Sequence, residues 1–216
     1  MNPRTRIIPA TIFTALLLLQ LAAAQMVQLT PFSADMEFTS THGRTASTEM
    51  KGKIYVTPQN LRMDMQSGPA GGAVMITTFA TKTVDMLMPQ QRMYMEYKAD
   101  DAQSRRAGMA PSITPFRDPS NPCANDEGMT CKKVGVEQVN GRNCDHWQIT
   151  DKNGKVSNVW IDQTLHFPIK TVSEDSTWQL TNIKEGQPDA SLFQIPAGYH
   201  KMDIGAMMQG ARPPQQ

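Results

Sequence analysis

The chain has 216 residues, 39% of them hydrophobic, with 21 Lys and Arg against 20 Asp and Glu for a net charge of +1. That balance excludes a basic stripe for nucleic acid and an acidic field for steering cations. The length is that of one domain with a real core, and the 16 methionines are what set the composition apart.

Residues 1–24 read as an export signal. Arg4 and Arg6 supply a basic start, Ile12–Leu21 an apolar stretch, and Ala22-Ala23-Ala24 a small-residue cleavage site before Gln25. The apolar part is shorter than the roughly 20 residues of a membrane span, and no later segment is apolar enough to anchor the chain. No cysteine follows the alanines, which argues against a lipid-modified N-terminus. Removing the signal leaves 19 basic and 20 acidic residues in a periplasmic or secreted protein.

Strand patterns follow in close succession. Phe32, Ala34, Met36 and Phe38 alternate with Ser33, Asp35, Glu37 and Thr39. A turn is expected over 40–44, where Gly43 can take a positive φ. Ala46–Val56 is a second strand, 57–60 a turn, and Leu61–Met65 a third strand. The glycine-rich 67–72 lacks the Lys-Ser/Thr ending and the following helix of a phosphate loop, so it reads as a hairpin connection. Strands over 73–79 and 83–88 come next, then Pro89-Gln90-Gln91 and a strand to Tyr97.

Methionine recurs at every second residue in three of these segments: Met63/Met65, Met86/Met88 and Met93/Met95. Residues two apart on a strand share a face. The pairs therefore line one apolar face, with Arg62, Asp64 and Glu96 pointing the other way.

The pattern then changes. Ala99–Ala110 is polar and is expected to form a short helix at most, and four prolines follow between 111 and 122. We take 98–128 as a mobile excursion within one domain spanning 25–203, and 204–216 as a disordered tail. After the excursion, Thr130–Val139 and Arg142–Thr150 flank Asn140-Gly141, the strongest short hairpin signal. A second Asn-Gly at 153–154 leads into Val156–Asp162. If both turns have two residues, Trp147 faces Trp160 directly. Strands over 165–173 and 176–183 complete the pattern, and Ser191–Phe193 leads into Gln194-Ile195-Pro196-Ala197-Gly198-Tyr199. About ten sequential antiparallel strands with little helix predict a mainly β fold, a barrel or one strongly curled sheet.

Three cysteines sit in an exported chain, where disulfides persist. The Asn140-Gly141 register sets Cys144 opposite Glu137 and Cys131 opposite Thr150, so Cys131 and Cys144 do not face each other unless a bulge shifts the ladder. Cys123 and Cys131 bracket a short loop and are free to meet. We expect a Cys123–Cys131 bridge with Cys144 reduced; Cys131–Cys144 and Cys123–Cys144 remain open alternatives.

No catalytic constellation emerges. There is no Gly-x-Ser-x-Gly and no His-Glu-x-x-His, and the four histidines lack a carboxylate–nucleophile set. Cys144 and His146 share a face but are two ligands, short of a zinc site. The methionine pairs admit three readings: ordinary gap-filling core, an adaptable apolar groove, or a soft-metal site, since thioethers ligate Cu(I). Sparse histidine argues against copper.

The segments V-N-G-R-N-C-D-H-W-Q-I-T (139–150), V-W-I-D-Q-T-L-H-F-P-I-K (159–170) and L-F-Q-I-P-A-G-Y (192–199) resemble the LolA/LolB/RseB-like periplasmic superfamily. The resemblance is to an uncharacterised branch that carries only a domain-of-unknown-function label. It covers most of 32–202 and is firmest after 130. It implies a half-open antiparallel barrel with a hydrophobic concave face, and a role in carrying or sensing lipid-modified proteins. Weak helix signals make the helical lid of the carriers doubtful here, and the matching motifs are scaffold motifs that transfer no ligand contact. On this reading Met36, Phe38, Met63, Met65, Met86, Met88, Met93, Met95, Trp147 and Trp160 line the ligand face. The expected role is a non-enzymatic binder of a lipid, acyl chain or lipoprotein, with no cofactor and no resident metal. The alternatives are an envelope protein–protein module and methionine-based copper binding.

Overall fold

The computed structural model describes residues 29–42, 46–66, 72–99, 120–124 and 128–202. The expected signal peptide, the turn at Gly43, most of the glycine-rich loop, the helix expected after Ala99 and the tail lie outside these residues. Among the described residues twelve strands, against the roughly ten expected, form one sheet: β1 (Phe32–His42), β2 (Ala46–Val56), β3 (Asn60–Gln66), β4 (Ala73–Thr78), β5 (Thr83–Met88), β6 (Met93–Lys98), β7 (Thr130–Val139), β8 (Arg142–Thr150), β9 (Val156–Asp162), β10 (Phe167–Val172), β11 (Ser176–Glu185) and β12 (His200–Lys201). Their order is β12-β6-β5-β4-β3-β2-β1-β11-β10-β9-β8-β7. The sheet curls without closing, as the half-barrel expectation requires.

Two antiparallel blocks meet at the β1–β11 pairing. β6 and β7 follow one another in sequence yet stand second and last in the order. Four-residue connections ending in a left-handed residue close three hairpins: 79–82 at Lys82, 89–92 at Arg92 and 163–166 at His166, each with φ between 52° and 55°. In the middle of β2, Gly52 is required by a close approach, since a Cβ there would lie 2.2 Å from the Asp64 carbonyl oxygen.

One apolar cluster gathers Phe32, Ala34 and Met36 of β1, Ile54 and Val56 of β2, Leu61 and Met63 of β3, and Met75, Val84 and Tyr97. It continues into Leu165, Phe167, Ile169, Trp178 and Leu180. Phe32 meets Phe167 edge-on at 5.3 Å, tying the two blocks together. A second cluster, Trp147, Val159 and Ile161, packs with Cys131 and Ile149.

The C-terminal motif has a role that no local pattern announced. β11 ends beside β1, whereas β12 pairs in parallel with β6 five strands away, so 186–199 must cross a face of the sheet. A short 3₁₀ turn, Ala190–Phe193, opens the crossing, and the Asp189 carboxylate accepts the Ser191 amide at 2.8 Å. Arg62 donates to the Leu192 carbonyl at 2.6 Å. Arg62 neighbours Met63 and so points to the opposite side. The crossing therefore runs over the face without methionines, where Ile76 and Leu87 are only 1% exposed.

A buried carboxylate locks the β9–β10 corner. Asp162 is 1% exposed. It accepts from the amides of Thr164 and Leu165, both at 2.8 Å, and pairs with the Arg142 guanidinium, which also reaches Glu185 at 2.7 Å. Removing one member of such a pair strands the other charge. We expect Asp162→Ala to cost about 3–5 kcal/mol in urea unfolding; a loss near zero would show that the corner does not depend on this carboxylate.

Candidate functional site

The register places the methionines in cross-strand rows. Ile54, Met63, Met75, Met86 and Met95 stand opposite one another from β2 to β6. Beside this row, Met36 faces Gly52, Gly52 faces Met65, and Met88 faces Met93. Directly opposed residues project to one side, so the three M-x-M pairs do share a face, with Met36 among them. Phe38, two residues on, is on this face too and faces Met50. Met36, Met63 and Met75 are buried, whereas Met65, Met86, Met88, Met93 and Met95 are half-buried.

Met75 and Met50 were missed by the sequence reading because neither belongs to a pair. The alternation Ala73-Met75-Thr77 against Val74-Ile76 was the available signal. Arg62, Asp64 and Glu96 point away, as expected; Arg62 and Asp64 pair at 2.6 Å and Glu96 meets Lys201 at 2.8 Å.

The two tryptophans separate. Pairings from Phe38 through Trp178, Thr171 and Val159 to Trp147 carry the methionine side across the second block. Trp160 belongs to the opposite side, in the row Trp160, Lys170, Gln179, Glu37, Lys51. The expected Trp147–Trp160 pair is thus corrected: Trp147 faces Val159, and Trp160 faces His146. The cause is the loop after β8. Asp151 accepts the amides of Asn153 and Lys155 at 2.8 and 2.9 Å, and its own amide donates to the Lys155 carbonyl. This closes a three-residue loop with Gly154 at φ 79°, not a two-residue turn. One residue of slip exchanges the faces.

On its own side Trp160 is part of a polar group. Its indole donates to Glu137 at 2.8 Å, His146 stacks on it at 4.4 Å, and the Lys170 ammonium lies 4.9 Å from its ring centre. The indole and His146 together hold the Glu137 carboxyl below its usual range.

The cysteines behave as expected, with one register correction. Cys123 and Cys131 are bridged, and Cys144 is free and buried. Cys144 does face Glu137, but Cys131 faces Ile149 rather than Thr150, because a bulge between Lys133 and Gly135 adds a residue to β7. Burial pushes the Cys144 thiol up to about 11.

Among the described residues, four buried polar side-chain atoms have no hydrogen-bond partner: Thr77 Oγ1, Trp147 Nε1, Trp178 Nε1 and Asp85 Oδ1. The first three lie on the methionine side, where Thr77 faces Leu61 and Trp178 faces Phe38. Asp85 faces Glu96 on the other side, and burial with that neighbouring charge raises its carboxyl. Two shallow depressions, of about 500 and 290 Å³, lie at the 153–155 and 173–174 loops and beside 186–189, and neither is lined by methionine. Among the described residues no three His, Cys, Asp or Glu side chains gather into a metal cluster, and no helix is long and apolar enough to cross a membrane.

The fold and its one-sided apolar face define a curled-sheet scaffold of the kind the sequence resemblance implied. The chain belongs to the family described as Domain of unknown function (DUF4412), whose model matches residues 32–166. No curated protein matches it in sequence. Among solved structures it is similar to an uncharacterised conserved protein from Thermus thermophilus, at 11% identity and a TM-score of 0.52, covering 80% of this chain and 90% of that one. It is also similar to the MucA/MucB complex structure of Pseudomonas aeruginosa, at 13% identity and a TM-score of 0.50, covering 79% of this chain and 57% of the other. A LolA superfamily protein from Nitrosomonas europaea matches at 8% identity and a TM-score of 0.40, covering 77% and 90%.

Cys144 provides a direct check on the core. With its thiol at about 11, roughly one molecule in a thousand carries the thiolate at pH 8. Alkylation by iodoacetamide at pH 8 should be negligible in the native protein and rapid in urea; fast native labelling would contradict the burial.

Proposed function

We propose that the protein is an exported, non-enzymatic binder of an amphiphilic ligand, a lipid or acyl chain, on the methionine face. The observation that carries this reading is the pairing of that face with three buried, unpartnered hydrogen-bonding atoms, Thr77 Oγ1, Trp147 Nε1 and Trp178 Nε1. An unsatisfied buried polar group costs about 1–3 kcal/mol. A purely hydrocarbon ligand would leave that cost in place, whereas the ester or carboxyl oxygens of a lipid would accept from the two indoles. Methionine side chains adapt to acyl chains of varied shape. Burial of apolar surface supplies about 25 cal/mol per Å² before ordering costs.

The test is native mass spectrometry and solvent extraction of protein purified from a membrane-containing host, with titration of a fluorescent fatty acid. Co-purifying lipid and saturable uptake are expected. Met65→Asp should weaken uptake by about tenfold or more, since it places a charge on the half-buried part of the apolar face. Absence of both extracted lipid and uptake in the parent protein would end this reading.

A second reading, an envelope protein–protein module, is supported by β7. This ten-residue strand ends the order of described strands and carries Val134 and Val136 at 51% and 58% exposure. An edge of that kind accepts an added strand. Crosslinking from position 134 in the native envelope would capture a discrete partner on this reading, and none on the first.

A further inference from the structure

The β5–β6 hairpin concentrates four thioethers on one face. Met88 faces Met93 and Met86 faces Met95, so two consecutive cross-strand pairs on one face are methionine at all four corners. All four side chains are half-buried, unlike Met63 and Met75 farther in. We propose that Met86, Met88, Met93 and Met95 form a binding site for a soft monovalent cation, Cu(I).

The backbone sets the dimensions. Opposed Cβ atoms stand about 5 Å apart and residues two apart on a strand about 6.8 Å. The centre of this rectangle is therefore about 4 Å from each Cβ, matching two side-chain bonds plus a metal–sulfur bond of about 2.3 Å. Methionine has the rotatable bonds to bring three or four sulfurs to that centre. The turn 89–92 is closed by hydrogen bonds from Gln91 to Met88 and from Arg92 to Pro89, at 3.2 and 3.3 Å, so the strands are held in register before any metal arrives.

The chemistry selects the ion. Thioethers are soft, neutral ligands that favour Cu(I) over Mg²⁺, Ca²⁺ or Zn²⁺. The described residues of β3 to β6 place Leu, Met, Ala, Thr, Val and Tyr on this side and no carboxylate, imidazole or thiol, so the thioethers are the metal-binding groups there. No ligand charge neutralises the cation, which suits a monovalent ion at a half-buried position better than a divalent one in a core. Because thioethers carry no proton at ordinary pH, binding should be independent of pH, unlike a histidine or cysteine site.

The experiment is an anaerobic titration of the purified chain with Cu(I) against a chromophoric Cu(I) chelator, at pH 5 and pH 7.5. The ¹³C-labelled methionine methyls are followed by NMR, with Ag(I) as a redox-inert second probe. One ion per chain, equal affinity at the two pH values and shifts at four methyls are expected. Exchanging all four for leucine keeps the volume and the apolar surface and should weaken Cu(I) by about 100-fold or more, a gap of about 2.7 kcal/mol. Met36→Leu with Met50→Leu, on β1 and β2 away from the hairpin, should leave the Cu(I) affinity unchanged. If the fourfold variant fails to fold, Met88→Leu with Met93→Leu and the parent's methyl shifts carry the test. No Cu(I) binding, binding that survives the leucine exchange, or affinity falling tenfold or more at pH 5 would each overturn the proposal. Leucine preserves a surface for acyl chains, so fatty-acid uptake measured in the same variants reports the lipid reading separately.

Discussion

Cross-strand register is the constraint on which the rest of this molecule depends. A residue and its partner on the next strand project to the same side, so one fixed pairing propagates a choice of face from strand to strand. From β1 to β6 the pairing runs without a shift, and nine methionines end on one side: Met36, Met50, Met63, Met65, Met75, Met86, Met88, Met93 and Met95. Had any one of these ladders slipped by a residue, the strands beyond it would have turned their methionines to the side opposite those before it. The short hairpins hold the pairing, and Gly52 allows β2 and β3 to pass closer than a side chain would permit.

The second block tolerates irregularity where the first does not. Bulges interrupt β1–β11, β9–β10 and β7–β8. Past the interruption in β10, Phe167, Asp162 and Cys144 stand in line across three strands. That alignment brings Cys144 into the main cluster and leaves Asp162 inaccessible to water, where the Arg142 guanidinium and two backbone amides must satisfy it. The motif W-I-D-Q-T-L-H-F-P, which the sequence marked as family-like, is the chemistry of one corner: a buried carboxylate, the two amides it accepts, and a bulge beside a proline.

This division explains what could be read from the sequence. A period of two is a local property, so the M-x-M pairs and their shared face were legible from Met63, Met86 and Met93 with their partners. The Cys123–Cys131 bridge was legible because the two lie only eight positions apart in sequence. Trp160 was misplaced because the Asp151 carboxylate decides the loop length, and a one-residue error there reverses every residue that follows. The bulge at Lys133–Gly135 and the path of 186–199 depend on contacts far away in sequence, the latter on Arg62 reaching Leu192 across 130 positions. The polar partners of Trp160 followed from neither period nor motif, since Glu137, His146 and Lys170 come from three different strands.

Methionine in place of leucine on a curled sheet is a choice with two physical consequences. Its unbranched thioether fits surfaces of varied shape, which a preformed leucine core does not. It also leaves a lone pair on sulfur, invisible to hydrocarbon and available to a soft cation. An acyl chain responds to the area and adaptability of the face and not to the sulfur lone pair. A copper ion responds only to the sulfur. The rows of β3 to β6 grade from buried Met63 and Met75 to half-buried Met86, Met88, Met93 and Met95, so the sulfurs with most freedom to move lie on the hairpin at the flank of the sheet. Met63 and Met75 belong to the buried cluster with Phe32, Ile54 and Leu61 and contribute packing. Both roles can therefore coexist on one face, separated by burial.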